Sequence, residues 1–326
     1  MKIVSIYLFI ILLLNGCVSD APRDNPLDPQ SPGFAKKGNV TGRILIANVS
    51  VGIENATVTS ATENVSVQTD GLGYFSFPSL SSGKQTFICT KENFTADTFS
   101  VTIQTGQTVE VFRNLNGAPV TTFKQILTRK IDRYFPGPEY FVEVFALVSD
   151  PNDITDLVVD SVWFVVADTI RYSLTYFGPS KPFAATIYKI DFPTNTIQWL
   201  IGKPLTIVSK DKYNAMNISD PFTVTRVIEQ SAAPIVSNVD SLSTSFELKW
   251  TPPDVTYNYT YTVTVSEIIR GTLKTYTGIS SVNESLVYPY TANDAPLEKG
   301  NYVWSVTIVD DFGNYSRSKE STFTVK

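Results

Sequence analysis

The chain contains no histidine. Without imidazole there is no Ser-His-Asp or Cys-His nucleophilic chemistry, no His-ligated zinc and no side chain that shuttles protons near neutrality at its ordinary pKa. Carboxylate-only catalysis stays open, but a non-catalytic role becomes the expectation. Cysteine is nearly as scarce: Cys17 and Cys89 are the two in the chain. Cys89 sits in the apolar run Phe87-Ile88-Cys89 and is expected to be a small buried hydrophobe, because a catalytic thiol needs a base beside it. Charged residues make up only 17%, with 26 Lys and Arg against 31 Asp and Glu for a net charge of −5. There is no dense cationic run of the kind that neutralises phosphates, so no nucleic-acid partner is expected. Long apolar runs are missing too. The longest, Ile3 to Leu14, has about 12 residues, against the ~20 that cross a bilayer core.

What the chain has in quantity is strand-forming side chains: 16 Tyr and 20 Phe, set among many Val, Thr and Ser. These fit a pleated, half-buried surface, and no stretch after residue 17 keeps a helical period. The fold class expected is all-β. A length of 326 residues divides, at ~100–150 residues per domain, into two or three domains. The reading adopted is three tandem β-sandwich domains behind a signal peptide and a proline-rich tether.

The start of the chain sets its address. Lys2, the short apolar run and the ending Leu14-Asn15-Gly16-Cys17 have the layout of a secretory signal peptide. The ending resembles the lipobox of bacterial lipoproteins, with Asn15 an untypical occupant. The resemblance implies cleavage before Cys17, acylation of Cys17 and attachment to a membrane through acyl chains. Val18 rather than Asp follows Cys17, which among such lipoproteins points to the outer membrane, with the leaflet open. Residues 18–37 carry Asp20, Asp24 and Asp28 among Pro22, Pro26, Pro29 and Pro32. So little apolar content cannot build a core, and an extended spacer or a docking element is expected.

The first domain is placed at 38–117. Gly52-Ile53-Glu54-Asn55-Ala56-Thr57-Val58, Thr69-Asp70-Gly71-Leu72-Gly73-Tyr74-Phe75-Ser76-Phe77 and Leu80-Ser81-Ser82-Gly83 together resemble a carboxypeptidase regulatory-like domain. The resemblance implies a transthyretin-like sandwich of seven strands and, despite the name, no peptidase activity. On the residues themselves, Asp70 and Gly73 shape a tight turn, and Phe75 and Phe77, two apart, face one core. Gly71-x-Gly73 is read as turn rather than phosphate loop, because no helix follows.

The second domain is placed at 118–229, with inner strands over Tyr140–Val148 and Val158–Val166. It resembles, loosely, the bacterial Ig-like domains of surface proteins. Its loop Ser149-Asp150-Pro151-Asn152-Asp153-Ile154-Thr155-Asp156 is rich in oxygen. Asp150, Asn152, Asp153 and Asp156 suit a hard cation such as Ca²⁺, or else simply shape a turn. No other cofactor is expected. The third domain is placed at 230–326. Phe246-Glu247-Leu248-Lys249-Trp250-Thr251-Pro252-Pro253 and Leu297-Glu298-Lys299-Gly300-Asn301-Tyr302-Val303-Trp304 resemble two strands of a fibronectin type III domain. That resemblance implies Trp250 in the core and Tyr302 as a tyrosine corner bonded to nearby backbone. An echo links the last two domains: Ile207 to Asn214 before Phe222-Thr223-Val224, and Ile308 to Ser316 before Phe323-Thr324-Val325, each reading as strand, Asp/Asn turn, strand.

Two aromatic sets are candidate ligand contacts. Tyr257, Tyr259 and Tyr261 alternate with polar residues and so share a sheet face, but continue into Val263 and Val265, which favours core. Tyr172 and Tyr176, with Phe177 and Phe183, flank Gly178-Pro179. The function expected from all this is a non-catalytic cell-envelope lipoprotein that binds or scaffolds an envelope protein. The alternatives are a glycan-binding accessory lipoprotein and, further off, a carboxylate-dependent hydrolase.

Overall fold

A computed structural model describes residues 28, 31, 36–157, 160–178, 182–235, 246–269, 272–279, 286–290 and 297–325. The expected signal peptide with Cys17 and most of the 18–37 tether lie outside them. The described residues fall into two compact units, one ending at Asn116 and one running from Gly117 to Lys326. Both are all-β; among the described residues the helices are three short 3₁₀ turns.

In the first unit, β1 (Lys37–Ile46), β2 (Thr57–Ser60), β3 (Val65–Gln68), β4 (Tyr74–Ser81), β5 (Gly83–Thr90), β6 (Asp97–Ile103) and β7 (Thr108–Leu115) form two sheets, in the orders β4-β1-β7 and β3-β2-β5-β6. Alternation decides the faces. Phe75 and Phe77 point into the core while Tyr74 and Ser76 face out. The period breaks at Ser79, whose φ is +65°, and Leu80 turns inward in its place. The extra residue is a bulge in β4, which advances three residues from Phe77 to Leu80 while β1 advances two between their partners Val40 and Gly38. Phe77 reaches across to Phe87 at 5.4 Å, and Phe87 stacks on Phe99 at 5.4 Å, so the rings tie one sheet to the other. Cys89 is fully buried in this core. Burial and the nearby Asp97 charge push its thiol up to about 11, which leaves it protonated and unreactive.

The second unit contains two hydrophobic cores. Its strands are β8 (Val120–Ile131), β9 (Glu139–Ser149), β10 (Val162–Val166), β11 (Ile170–Ser173), β12 (Thr175–Tyr176), β13 (Phe183–Tyr188), β14 (Leu205–Lys210), β15 (Met216–Ile218), β16 (Ala233–Pro234), β17 (Phe246–Thr251), β18 (Tyr259–Ile269), β19 (Thr272–Ile279), β20 (Val287–Tyr290), β21 (Gly300–Asp310), β22 (Tyr315–Arg317) and β23 (Ser321–Val325). One core, around Val144, Phe164, Phe192 and Ile207, lies against the sheet β11-β10-β14-β15. The other, around Trp250, Tyr261, Tyr302 and Trp304, lies against β16-β17-β20. Trp250 is buried as expected, and the Tyr302 hydroxyl donates to the Glu298 carbonyl at 2.8 Å, the bond a tyrosine corner requires.

Both cores share their remaining sheet. The order β12-β13-β9-β8-β22-β21-β18-β19 runs across the boundary placed at 229, because β22 pairs in parallel with β8 (Tyr315 with Arg129, Ser316 with Lys130, Arg317 with Ile131). Side chains fasten the seam. Asn314 Oδ1 accepts the Thr128 N–H at 2.9 Å. Arg129 donates to the Gly313 carbonyl, pairs with Glu143 at 2.7 Å and lies 4.3 Å from the Tyr315 ring centre. Lys130, nearly buried, donates to the Glu229 carbonyl at 2.5 Å and to Ser231 Oγ at 3.1 Å. Ile228 and Ala232 of the intervening segment are themselves buried in the second core. The two sandwiches are therefore fused.

One turn recurs three times. Asp70 Oδ1 accepts the N–H groups of Leu72 and Tyr74 at 2.9 and 2.8 Å. Asp211 Oδ1 does the same for Tyr213 and Ala215, both at 2.8 Å. Asp310 Oδ1 does so for Phe312 and Asn314 at 3.0 and 2.9 Å. The fourth residue of each turn, Gly73, Asn214 or Gly313, has positive φ, as a three-residue hairpin loop demands. The echo seen between the two later domains is thus a real repeat of structure, and the first unit shares it.

Candidate functional site

The tyrosine stripe divides in two. Tyr261 is core: it is buried, meets Trp250 edge-on at 5.1 Å, and burial raises its phenol well above the usual range. Its hydroxyl lies 3.1 Å from that of Tyr259. Tyr257 and Tyr259 are half-buried at the open end of β18. Successive rings stand at 74° and 84° to each other, so they form a stepped wall and not a flat platform. The Arg226 guanidinium sits 4.1 Å from the Tyr257 ring centre and pairs with buried Asp310 at 3.1 Å. A cleft of about 540 Å³ opens here, walled by the tyrosines with Asn258, Thr260 and Asp311. Mixed aromatic and hydrogen-bonding walls of this size suit a small ligand. Among the described residues that line it, Asp311 is the one carboxylate, whereas glycoside hydrolysis ordinarily calls for two.

The other aromatic set also separates. Tyr172 is packing: it stacks near Phe164 at 6.0 Å, meets Phe192 edge-on at 5.5 Å and donates to the Asp191 carbonyl at 3.0 Å. Tyr176 is exposed, with one face against Phe183 at 5.1 Å, and Phe177 beside it is exposed too.

The acidic loop is organised from within. Asp150 Oδ1 accepts the Asn152 N–H at 2.8 Å, and Asn152 Oδ1 accepts the Gly117 N–H at 2.6 Å. Exposed Asp153 caps a 3₁₀ turn by accepting the Thr155 N–H at 2.9 Å, and buried Asp156 pairs with Lys212 at 2.6 Å. Among the described residues no three acidic, cysteine or histidine side chains gather as a metal set. Each of the four residues is thus held within the protein by hydrogen bonds or an ion pair of the kind that shapes a turn.

Asp150 nevertheless titrates unusually. Burial first, then the charges of Asp211 and Asp156, push it up to about 6. A carboxyl whose folded pKa exceeds its unfolded value favours the fold only while protonated, so this contribution fades as pH rises from about 4 through about 6. Asp150→Asn keeps the oxygen that caps Asn152 and removes the charge. It is expected to stabilise the second unit by on the order of 1–2 kcal/mol at pH 7, with the gain vanishing below pH ~4. Thermal unfolding of both proteins across that range measures it; a pH-independent difference would show that the charge is not the cause.

A site without any signal in the hydrophobic pattern lies at the tip of the β8–β9 hairpin. Tyr134 and Phe135 are 77% and 89% exposed. The neck below them is closed by the Arg133–Glu139 ion pair at 2.7 Å, and the Lys319 ammonium lies 5.0 Å from the Tyr134 ring centre. A cavity of about 330 Å³ lies beside Tyr134, lined also by Asp132, Ser231, Ala232 and Lys319. Tyr134 and Phe135 thus present two adjacent aromatic side chains to solvent at one hairpin tip.

No family model and no curated protein matches the chain. Solved structures that align with the chain include a variant of the major pilin subunit of Bacillus cereus, at 13% identity and a TM-score of 0.31, covering 89% of this chain and 96% of that one. Fibronectin(III)-like modules of CbhA from Clostridium thermocellum align at 17% identity and a TM-score of 0.28, over 63% and 94% of the two chains. A DUF3823 family protein from Bacteroides ovatus aligns at 9% identity and a TM-score of 0.26, over 58% and 100%. At these scores the likenesses say nothing of ligand or role.

Proposed function

We propose that this chain is a non-catalytic cell-envelope lipoprotein, held at a bacterial outer membrane by acyl chains on Cys17, that binds or scaffolds an envelope protein. The observation that carries the reading is the Tyr134-Phe135 tip, two exposed aromatics presented by a hairpin whose base is stitched into the fused seam. A contact element on a fused two-core unit loses little freedom when it docks, which is what a scaffold needs. The seven-stranded first unit is read as the carboxypeptidase regulatory-like sandwich its motifs resemble. The absence of histidine and the single carboxylate of the tyrosine cleft support a role without catalysis.

The test replaces Phe135 by a photo-crosslinking residue in cells. One discrete adduct with an envelope protein is expected, weakened when Tyr134→Ser is added, and Cys17→Ala should shift the protein out of the membrane fraction. Absence of any adduct from a folded, membrane-bound protein would rule out the docking role of this tip. A second reading, glycan capture, is favoured by the tyrosine cleft alone. Tyr259→Ala would then abolish depletion of the protein from solution by an insoluble neutral polysaccharide.

A further inference from the structure

The outward face of the sheet β11-β10-β14-β15 is a second candidate binding surface, distinct from both the aromatic tip and the tyrosine cleft. Strand alternation turns Phe164 and Ile207 into the core and leaves Trp163, Val165, Val208 and Lys210 on the outside. Met216 and Ile218 of β15 are exposed beside them, 52% and 60%, and the face encloses a hollow of about 440 Å³.

The register gives this face a direction. Trp163 pairs with Val208 on one side and Ser173 on the other, Val165 pairs with Arg171, and Lys210 pairs with Met216. Arg171 is thus one strand away from Trp163 and two residues along. Lys210 is one strand away on the opposite side and two residues along in the opposite direction. With ~4.8 Å between strands and ~6.7 Å per two residues, the Cα of each basic residue lies roughly 8 Å from that of Trp163 on a single diagonal, roughly 16 Å end to end. The Arg171 guanidinium carbon lies 5.6 Å from the Trp163 ring centre. Among the described residues neither Arg171 nor Lys210 forms an ion pair, and Asp168 is the one acid lining the hollow.

We propose that this diagonal binds a linear acidic polysaccharide, with one sugar ring against Trp163 and carboxylates of flanking residues met by Arg171 and Lys210. The valines, Met216 and Ile218 offer apolar contact to the C–H faces of the sugars, and Thr206 a hydroxyl. Charge complementarity selects the occupant: Arg171 and Lys210 stand in line across the face at saccharide-scale backbone spacing, with Asp168 the one acid among the described residues lining the hollow. A nucleic acid strand is disfavoured, because it calls for a denser row of cations than this face holds.

Full-chain protein in detergent is titrated with polygalacturonate, with neutral dextran and with single-stranded DNA, following tryptophan fluorescence and mobility in affinity gels. Saturable binding to polygalacturonate, absent with dextran, is expected. Arg171→Gln and Lys210→Gln should each weaken it about five- to tenfold and the double variant about 50-fold, as two screened charge contacts of ~1–1.4 kcal/mol each would give. Both are surface changes away from the cores, and an unchanged unfolding temperature confirms that the fold is kept. Tyr259→Ala should leave polygalacturonate binding intact, which separates this face from the tyrosine cleft. No binding to polygalacturonate, binding indifferent to the double variant, or equal binding of DNA would each overturn the proposal.

Discussion

Asp310→Ala is expected to destabilise the second unit by about 3–5 kcal/mol, the cost of removing one partner of a buried, hydrogen-bonded ion pair. The carboxylate is fully buried and every bond it makes is used. Oδ1 accepts the Phe312 and Asn314 N–H groups at 3.0 and 2.9 Å; Oδ2 accepts from Arg226 and from the Asn314 amide, both at 3.1 Å. Truncation leaves Arg226, largely buried over Tyr257, without its anion. It also frees the Asn314 side chain, whose oxygen holds Thr128 across the seam. Because both cores hang on that seam, they should lose stability together, by roughly 10 °C in a calorimetric scan. The repeated turn supplies a control. Asp70 makes the same two backbone bonds but is exposed and, among the described residues, forms no ion pair, so Asp70→Ala should cost only about 1 kcal/mol, in the first unit. If Asp310→Ala costs no more than Asp70→Ala, the buried ion pair contributes nothing beyond the turn.

The same residue shows how far the sequence could be read. The Asp/Asn turn around Asp310 is written locally, in spacing that recurs near Asp211, and its geometry follows from backbone bonds two and four residues away. Strand faces are equally local: Phe75 and Phe77, or Trp250, sit where alternation and the resemblances put them. The seam is different. Thr128 and Asn314 are 186 residues apart, and nothing in either neighbourhood signals the other, so a domain boundary is placed at 229 although Ile228 and Ala232 are buried there. Arg129, Lys130 and Arg226 likewise find partners far along the chain, at Gly313, Glu229 and Asp310, 184, 99 and 84 residues away. The tyrosine stripe lies between these cases. Alternation correctly gave Tyr257, Tyr259 and Tyr261 one face, but which end of the strand is covered depends on Trp250 and Arg226, which come from elsewhere in the chain. Tyr134-Phe135 carried no periodic signal at all, since a hairpin tip has none, and its exposure shows only in three dimensions.

The complementary test strikes the first unit alone. Gly73 has φ +84°, and a Cβ built on it would stand 2.3 Å from the Ile44 carbonyl oxygen, 2.9 Å from Gly52 Cα and 3.0 Å from the Ile53 nitrogen. All three are backbone atoms of a β1 crossing already fixed by hydrogen bonds, Ile44 N–H to the Gly73 carbonyl at 2.8 Å and Ile53 N–H to the Ile44 carbonyl at 3.0 Å. None can swing aside as a side chain would. Gly73→Ala therefore combines a left-handed backbone cost of ~1–2 kcal/mol with an overpacking cost of ~1–3 kcal/mol, and a loss of about 3–4 kcal/mol is expected. Gly106 separates the two contributions: its φ is +74°, but nothing lies within 4 Å of a Cβ there. Gly106→Ala should consequently cost only about 1 kcal/mol in the same unit. Since the two units have separate cores, the loss at Gly73 should lower one calorimetric transition and leave the transition of residues 117–326 in place. Equal losses at Gly73 and Gly106 would mean that β1 yields to the added methyl, and that the glycine serves the turn alone. A larger loss at Gly73, confined to the first transition, ties the Asp70-Gly71-Leu72-Gly73 motif to the crossing of β1 by the Gly52-Ile53 strand segment: the position must be glycine because backbone passes within contact distance of its α-carbon.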